Sequence, residues 1–518
     1  MENVNFNIPK EKFQFASRSD INHDKKLDTK PRSYMQDAFS RFCKNKGAVV
    51  AAIIIICLVL FAIIVPFCTP YRVDYTDNYF KNTLPKAKMF ANTSFWDGCE
   101  AKEDGKLSFM YYYAMGQETG HNAVKNQEYK ITDDGMYKYR LDSYHSTGMV
   151  YMNITLAEYA SIQKYQNEFN KQVIYPTVNG NDRPKSSVDK DNGNYYYQTK
   201  GTSKTEIVYD KDGNVIPVYS KYEEGEVALD GGYNSLRIEG EDGITVDGKT
   251  YFYNYAFITS AGVEVRVNYY EYYIYNHTYV LKDGITEPYF IFGTMGTGQD
   301  ILTNLSSGAR FSFLFSIAVA LVNMIVGLIY GMIEGYYGGK VDLVMERISE
   351  ILSAVPIYIV ITLLKYHMGG TSQALLLFLS FFLTGWIGMA GTTRMQFYRY
   401  KNQEYVLAAR TLGARDRRLM WKHILPNALG TLVTSCALVI PGMIYSEVSL
   451  AYLGIINLST GNTTSVGTII EAGQRAMQTA PHIVIFPSVF LILLMLSFNL
   501  FGNGLRDAFN PSLRGSEG

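Results

Sequence analysis

The apolar run from Ala48 to Phe67 constrains this chain more than any other feature. It is 20 residues long, and a helix needs about 20 apolar residues to cross the hydrocarbon core of a membrane. A cleaved signal peptide has a shorter apolar core, of about 7 to 15 residues, and ends in a small-residue cleavage site. We therefore predict a transmembrane helix at residues 47–67. Arg41, Lys44 and Lys46 precede it and predict that residues 1–46 are cytoplasmic.

Further apolar segments predict a polytopic membrane protein with six transmembrane helices. They lie at about 311–333, 344–364, 374–391, 428–453 and 483–501, within residues 295–505. The second of these five is the weakest, because its purely apolar part is only 351–364. We expect Glu346, Arg347 and Glu350 at its cytoplasmic end and a bend at Pro356. Six crossings place both termini, including the tail 506–518, in the cytoplasm.

The segment 68–294 differs in composition from the rest of the chain. It contains 23 Lys and Arg against 31 Asp and Glu, and it holds 31 of the 42 tyrosines. This leaves the remainder of the chain basic, as expected if the segment is outside and the other loops are inside. Alternating stretches at 131–141, 206–219 and 263–275 are typical of strands. We predict an inserted, β-rich extracellular domain that is long enough to have its own core.

Three features of this domain leave alternatives open. Asp210-Lys-Asp-Gly-Asn214 is a calcium-type pattern, but it lacks the sixth-position Gly and the distal Glu of an EF-hand, so a hairpin turn is favoured. The Tyr triplets at 111–113 and 195–197 could line a ligand groove or pack on strand faces. Cys68 and Cys99 are the only cysteines predicted outside; they either form a disulfide or remain free, with Cys68 ending the first helix.

The loop 394–427 lies between two predicted spans and has an ordered pattern. Glu404 to Leu412 contains no helix breaker and places Ala408 and Ala409 side by side, where a partner can approach the backbone closely. Gly413 suits a left-handed residue that ends a helix, and Asp416 can begin the next one. The loop is also basic, which alone would keep it cytoplasmic. We expect a helix-turn-helix hairpin, with Pro426 marking the return to the membrane.

This loop resembles the cytoplasmic EAA loop of ABC importer permeases. The resemblance is carried by Glu404-Tyr-Val-Leu-Ala-Ala-Arg-Thr-Leu-Gly413 and by His423-Ile-Leu-Pro-Asn427, whose wording is similar to the oligopeptide, dipeptide and nickel branch. The stretch Phe292-Gly-Thr-Met-Gly-Thr-Gly-Gln-Asp300 also resembles the segment before the second span of that branch. It departs from the pattern at Met295, where the family has Asp, and at Gln299, where it has Arg. The resemblance covers about 290–513 and, weakly, helix 1 and residues 11–15, but not the insertion.

The resemblance implies a type I ABC importer permease fold and a second permease subunit of the oligopeptide type. It further implies that Glu404, Ala408, Ala409, Arg410, Gly413 and Asp416 couple the chain to ATPase partners. The implied partners are another permease subunit, two ATPase subunits that bind ATP and Mg²⁺, and an extracellular peptide-binding protein or lipoprotein. No cofactor would bind the chain directly, and the location would be the cell membrane. Nickel remains an alternative cargo to peptides.

Two features lie within the predicted spans. Gly327, Gly331 and Gly335 recur every four residues and predict a flat surface against which another helix can pack. Glu447 lies near the outer end of the fifth span, where a carboxylate is costly unless it is paired, hydrated or neutral. It either lines a translocation path or makes a structural hydrogen bond.

Other function classes find less support in the sequence. No His-Glu-x-x-His, Cys-x-x-Cys or Gly-x-Ser-x-Gly pattern occurs, so we predict neither a catalytic site nor a metal site. An extracellular adhesin or receptor on a membrane anchor would need one span rather than six. A secondary transporter would show inverted repeats and ionisable residues at mid-membrane, which the sequence does not display.

Overall fold

The computed structural model describes residues 34–177 except 91–92, residues 199–459 with short gaps between 201 and 247, and residues 463–509. Residues 11–15 and the Tyr triplet at 195–197 lie outside these ranges. The helices are α1 (Tyr34–Lys44), α2 (Lys46–Cys68), α3 (Lys106–Thr119), α4 (Leu156–Phe169), α5 (Tyr269–Tyr275), α6 (Ile301–Tyr337), α7 (Gly339–Ser353), α8 (Ile357–His367), α9 (Gln373–Tyr400), α10 (Glu404–Thr411), α11 (Asp416–Arg418), α12 (Leu425–Tyr452), α13 (Val466–Gln474) and α14 (His482–Phe509). The strands are β1 (Cys99–Asp104), β2 (Val124–Ile131), β3 (Tyr137–Asp142), β4 (Met149–Ile154), β5 (Ile174–Tyr175), β6 (Thr199–Lys200), β7 (Glu206–Ile207), β8 (Lys221–Glu223), β9 (Leu229–Asp230), β10 (Tyr233–Leu236), β11 (Ile244–Val246), β12 (Lys249–Tyr253), β13 (Ala256–Thr259) and β14 (Gly262–Asn268).

Within the described residues, five helices are long and apolar enough to cross a membrane, and a bent pair can supply a sixth crossing. The five are α2, α6, α9, the run Asp416–Tyr452 that contains α12, and α14. This agrees with the multi-pass character expected from the apolar segments. The helices extend beyond the segments that hydropathy marked, because polar residues continue several of them. At the start of α6, for example, Asp300 accepts a hydrogen bond from the Thr303 amide at 2.8 Å and caps the helix.

The predicted third span is broken into α7 and α8. The two helices meet at 73°, and Pro356 immediately precedes α8. The bend therefore lies at the predicted residue, but it separates two helices rather than kinking one. Proline has no amide proton to donate and its ring clashes with the preceding turn, so the α7 ladder cannot continue through it. Glu346, Arg347 and Glu350 all lie on α7.

The N-terminal helices pack against α14. A methyl group added at Gly504 would lie 2.2 Å from the Ala48 side chain, so α2 and α14 cross at very close range. Asn45 caps α2 by accepting a hydrogen bond from the Ala48 amide at 3.1 Å. On α1, the ring of Phe42 lies edge-on to that of Phe501, with centroids 5.4 Å apart. The first span and the last span thus form one unit.

In its described residues, the segment between α2 and α6 contains three α-helices as well as β-sheets. It therefore has more helix than the β-rich domain predicted from the sequence. Its largest described sheet has the order β4-β14-β13-β10-β9, with β5 also paired to β14, and a second sheet has the order β1-β3-β2. Helices α4 and α5 pack on the first sheet, and α3 packs on the second. Tyrosines supply much of both cores, including Tyr144, Tyr159, Tyr165 and Tyr273 in the first and Tyr111 and Tyr139 in the second.

Of the three predicted strand regions, one is confirmed, one is partly helical, and one lies largely outside the described residues. The hairpin expected at 131–141 is confirmed, since β2 and β3 pair across a turn in which Gly135 has φ of 76°. The strand expected at 263–275 is wrong in its second half, because Asn268 caps a helix there by accepting from the Glu271 amide at 3.2 Å. Much of 206–219 lies outside the described residues, although its turn residue Gly213 has φ of 85°.

The structure places the Tyr triplet at 111–113 and the two cysteines of this segment. The Tyr triplet 111–113 packs as core, but it does so on helix α3 rather than on a strand: Tyr111 and Tyr112 are 0% and 3% exposed. Cys68 and Cys99 are both free thiols, so no disulfide links them. Burial raises the pKa of the Cys99 thiol to about 12, which keeps it in the protonated, unreactive form.

Both connections between this segment and the membrane helices lie side by side. The hydroxyls of Thr83 and Thr294 are 2.8 Å apart, and the Thr294 hydroxyl donates to the Phe80 carbonyl at 2.7 Å. Gln299 donates to the Val73 carbonyl at 2.9 Å. The turn at 293–299 runs directly into α6, because Asp300 caps that helix.

Candidate coupling site and intramembrane carboxylate

The sequence motif at 404–416 folds into a helical hairpin that joins α9 to α12. Helix α10 spans Glu404–Thr411, a turn follows, and α11 begins at Asp416 and continues through a π-helical stretch at Leu419–Ile424 into α12. Pro426 lies in the first turn of α12, directly after the π-helical stretch. The boundaries expected from the sequence and those in the structure differ by no more than a residue.

The turn after α10 is a Schellman motif built around Gly413. Gly413 has φ of 85° and its amide donates to the Arg410 carbonyl at 3.0 Å, while the Ala414 amide donates to the Ala409 carbonyl at 3.1 Å. This pair of bonds satisfies the last carbonyls of the helix and requires a left-handed residue between them. A methyl group at Gly413 would meet no atom within 4 Å. The glycine is therefore needed for its backbone conformation, and the space beside it is open.

Tyr336 at the end of α6 holds both arms of the hairpin. Its hydroxyl donates to the Asp416 carboxylate at 2.6 Å and accepts from the Arg410 guanidinium at 3.2 Å. The Arg410 guanidinium also lies 5.8 Å from the centre of the Tyr336 ring. A third tether runs from the Asn427 side chain, which donates to the Tyr405 hydroxyl at 3.2 Å. The hairpin is thus fixed to the ends of α6 and α12.

An apolar core beneath the hairpin completes this attachment. Val406 is 0% exposed and packs in a cluster with Met332, Phe397, Leu419 and Ile424. Val406 is the one buried residue of α10, and Ala409 packs partly buried against the same cluster. Burial of a valine stabilises by about 1.5 to 3 kcal/mol, so the helix is pinned at its centre while its outer face stays free.

The outer face of the hairpin exposes apolar and small residues to solvent. Leu412 is 89% exposed and Leu407 is 43% exposed, and Glu404, Ala408 and Gly413 are also exposed. Arg410, Arg415, Arg417 and Arg418 of the same hairpin are exposed as well. The hairpin thus presents two exposed leucines and small residues together with basic side chains.

The glycines of α6 bring its backbone against α9. A methyl group at Gly327, Gly331 or Gly335 would lie 2.6, 2.1 or 2.7 Å from the carbonyl oxygens of Trp386, Ala390 and Arg394 respectively. Such distances cannot be reached by real side-chain atoms, so no residue other than glycine fits. The Lys401 ammonium donates to the Gly335 carbonyl at 2.9 Å. The two helices that carry the hairpin are therefore held together at backbone distance.

An ion-pair cluster that the sequence did not reveal joins α7 to α9. Arg394 makes two bonds to Asp342, from Nε at 2.6 Å and from a terminal nitrogen at 3.1 Å, and Tyr398 donates to the same carboxylate at 2.6 Å. Glu334 and Glu346 lie 3.5 and 3.4 Å from the same guanidinium. Only the fold brings Asp342 and Arg394 together, since they are 52 positions apart in the chain.

Glu447 bridges three helices in a buried position. It is 1% exposed, and its carboxylate accepts from the Ser312 hydroxyl on α6 at 3.0 Å and from the Ser465 hydroxyl at 2.6 Å. Ser465 also caps α13. A methyl group at Gly467 would lie 2.9 Å from the same carboxylate. Of the two roles considered for Glu447, this geometry matches the structural hydrogen bond, because the side chain is enclosed in this conformation.

Comparison with known proteins identifies two regions of the chain. Residues 324–515 match the family described as binding-protein-dependent transport system inner membrane component. Residues 33–85 match the N-terminal transmembrane domain of oligopeptide transport permease C. The first match contains α9, α12, α14 and the whole hairpin. Most of the segment between α2 and α6 lies outside both matches.

Individual relatives are peptide permeases. The oligopeptide transport system permease protein OppC of Bacillus subtilis is 40% identical over 223 residues, which is 43% of this chain and 72% of that protein. The OppC protein of Escherichia coli K12 is 39% identical over the same shares. The dipeptide transport system permease protein DppC of Lactococcus lactis is 39% identical over 43% of this chain and 64% of its own.

A solved structure of the inward-facing MetNI methionine ABC transporter is a more distant match. It is 17% identical and covers 40% of this chain and 96% of its own, with a TM-score of 0.31. The sequence relatives and the two family matches agree with the multi-pass helices. The chain belongs to the family of oligopeptide and dipeptide ABC transporter permeases.

Proposed function

We propose that this chain is a transmembrane subunit of an ATP-driven peptide importer, coupled to ATPase subunits through the hairpin at 404–418. The observation that carries the proposal is the shape of the hairpin: its inner side is anchored by Val406 and Tyr336, and its outer side exposes Leu412 at 89%. A rigid base with an exposed apolar and small-residue tip is what a docking element for another protein requires.

The proposed partners are ATPase subunits, a second permease subunit and an extracellular binding protein. Residues 243–250 have the P-loop spacing Gly-x-x-x-x-Gly-Lys-Thr, but their described part forms the β11–β12 hairpin rather than a strand, a loop and a helix. ATP and Mg²⁺ would therefore be bound by the ATPase subunits, as the family membership implies. A second permease subunit would complete the path, and an extracellular binding protein would deliver the cargo. Peptides are proposed as the cargo because the relatives are named for oligopeptide and dipeptide transport.

The orientation proposed for the chain follows from charge. The hairpin loop is basic and segment 68–294 is acidic, which favours a cytoplasmic hairpin and an extracellular segment. The segment joins the membrane helices through the paired connections at Thr83 and Thr294. It therefore stands directly above α2 and α6, where it could receive a binding protein.

Movement of the hairpin would reach the membrane through a short, stiff route. Tyr336 ties Arg410 and Asp416 to the end of α6, and α6 packs on α9 at backbone distance through Gly331. Because these contacts join α10 to α6 and α6 to α9, a displacement of α10 by a closing ATPase pair would carry α6 and α9 with it. Nucleotide would then favour one of two helix arrangements over the other, which is all that coupling requires.

The test is substitution at Gly413. Gly413→Arg places a long charged side chain in the open space beside the turn, while Gly413→Asn keeps a residue type that tolerates the left-handed conformation. Both variants bear the backbone strain of φ 85°, so they differ in obstruction of docking. We expect Gly413→Arg to abolish ATP-dependent peptide uptake with normal membrane insertion, and Gly413→Asn to retain it. Undiminished uptake by Gly413→Arg would refute the coupling role.

A further inference from the structure

A polar cavity lies at the ends of α9, α12 and α14. Its volume is about 390 Å³, and its walls include Arg399, Arg506, Gln396 and Thr431. No acidic residue lines it. The cavity is therefore a positively charged recess between three membrane-spanning helices.

The two arginines in this cavity have no counter-ion in the part of the chain that the structure describes. No carboxylate lies within 4.0 Å of either guanidinium, and Arg399 contacts the ring of Tyr400 with its guanidinium 5.6 Å from the ring centre. The Gln396 carbonyl oxygen in the same cavity is buried and lacks a hydrogen-bond donor. The site thus offers charged donors together with one unfilled acceptor, which suits an anion that also carries a hydroxyl or amine.

A second, apolar pocket adjoins the first. It has a volume of about 460 Å³ and lies between α1 and α14, with walls formed by Phe39, Phe42, Phe501 and Leu505. Phe509 lines both pockets. The two recesses therefore lie next to each other around the end of α14, one cationic and the other apolar, and together they match an amphiphile.

We propose that this pair of pockets binds one anionic phospholipid, with the phosphate between Arg399 and Arg506 and an acyl chain in the apolar pocket. The ends of three spans on one side of the membrane lie at headgroup depth, and basic recesses between helices on the cytoplasmic side are suited to anionic headgroups. A peptide carboxylate fits less well, because the backbone amides that follow it would enter an apolar pocket unpaired. A glycerol headgroup would supply the donor that Gln396 lacks.

The site touches the base of the hairpin, so its occupancy bears on coupling if the proposed function holds. Arg399 and Tyr400 precede the hairpin, and Asn427, another wall residue, donates to Tyr405 on α10 at 3.2 Å. A bound headgroup would hold these two flanks together. The lipid would then stiffen the attachment of the hairpin to α9 and α12.

The experiment measures lipid binding to the full chain in its purified, delipidated assembly by native mass spectrometry. The probes are phosphatidylglycerol, phosphatidylcholine and inorganic phosphate. The variant is the double substitution Arg399→Gln and Arg506→Gln, and the matched control is Arg347→Gln, which removes an exposed arginine of α7 outside the cavity. We expect phosphatidylglycerol to bind the unaltered chain and the control equally and to bind the double variant roughly ten-fold or more weakly, since two charge-assisted contacts are lost.

Four results would overturn the proposal. They are equal retention of phosphatidylglycerol by the double variant, equal binding of phosphatidylcholine, binding of inorganic phosphate as tight as that of the lipid, and displacement of the lipid by a peptide with a free carboxyl end. The Gly413→Arg variant separates this question from the transport role. It should keep full lipid binding while losing uptake, so a failed lipid site and a failed coupling assignment give different results.

Discussion

At the scale of single residues, the position of the hairpin depends on a few side chains that a sequence motif does not mark. Tyr336 is one: its hydroxyl is at once the donor to Asp416 and the acceptor from Arg410. Tyr337 next to it is 54% exposed and contacts only the Tyr336 ring among the contacts described. Two adjacent tyrosines therefore differ in function because the helix turns one toward the hairpin and the other away.

Tyr336→Phe should weaken coupling without preventing folding. The substitution removes one hydroxyl and with it two hydrogen bonds, each worth about 0.5 to 1.5 kcal/mol, while the ring stays in its apolar cluster. We expect peptide uptake to fall several-fold at an unchanged amount of protein in the membrane, measured as ATP-dependent uptake into proteoliposomes. Tyr337→Phe is the control and should behave like the unaltered chain. Equal uptake by both variants would show that this hydroxyl is not needed.

His145 makes the stability of the segment between α2 and α6 depend on pH. Its ring lies tilted against the Tyr270 ring, with centroids 4.2 Å apart, and stacks on the His121 ring, with centroids 5.3 Å apart. Burial lowers the pKa of His145 to about 4, opposed by Asp142 and Glu271 and assisted by Lys86 and His121. The folded state therefore holds a neutral ring, whereas the unfolded chain protonates near pH 6.5.

Stability should consequently be lost as the pH falls from about 6.5 toward 4. The depressed pKa corresponds to about 3 kcal/mol that is fully present above pH 6.5 and disappears on acidification. His145→Phe keeps an aromatic ring and removes the titration. We expect the melting temperature of the unaltered protein in detergent to fall more steeply over this range than that of His145→Phe. His367→Phe, at an exposed histidine of α8, should leave the steeper fall in place, and parallel curves for all three proteins would contradict the assignment.

At the scale of elements, the α6–α9 pair carries the hairpin and owes its geometry to glycine. Gly331 leaves no room for a methyl group, which would lie 2.1 Å from the Ala390 carbonyl oxygen. Gly388 on α9 is also helical, but a methyl group there meets nothing within 4 Å. The same residue type thus serves close packing at one position and has no such role at the other.

Gly331→Ala should destabilise the protein, and Gly388→Ala should not. Forcing a methyl group against a backbone carbonyl costs about 1 to 3 kcal/mol in a packed interior, while alanine in place of an unconstrained helical glycine can gain up to about 1 kcal/mol. The check is the midpoint of thermal unfolding in detergent for both variants. A Gly331→Ala midpoint equal to or above that of Gly388→Ala would mean that the two helices can separate without cost.

The sequence predicted elements well where one local property decides them. The spans and the turn at Gly413 follow from apolar length and from the need for a left-handed residue, and both appear in the structure. Residues 269–275 were predicted as strand because tyrosines favour strands, but the cap at Asn268 turns them into a helix. The contacts of Arg394 with Asp342 and of Glu447 with Ser312 could not be predicted, since they join residues that only the packed fold brings together.

At the scale of the whole molecule, three parts are connected in series. The segment between α2 and α6 joins the membrane helices at Thr83 and Thr294. The membrane helices include the closely packed α6–α9 pair. The hairpin is attached to the ends of α6 and α12. The first two connections use buried or backbone groups, and the hairpin is tied to α6 by partly buried side-chain hydrogen bonds. A force applied at the hairpin can therefore reach the membrane helices without crossing a flexible linker.

Cross-linking from the tip of the hairpin tests whether the hairpin docks on an ATPase subunit. Leu412 is 89% exposed and lies beside the open space at Gly413, so Leu412→Cys, with the five native cysteines replaced, provides a single reactive site there. A short bifunctional reagent applied to the purified assembly should link this position to an ATPase subunit in high yield, and ATP binding should change the yield. Two results would contradict cytoplasmic docking of the hairpin on an ATPase. One is that the cysteine links only to proteins other than an ATPase subunit, and the other is that it reacts with a membrane-impermeant reagent from outside intact cells.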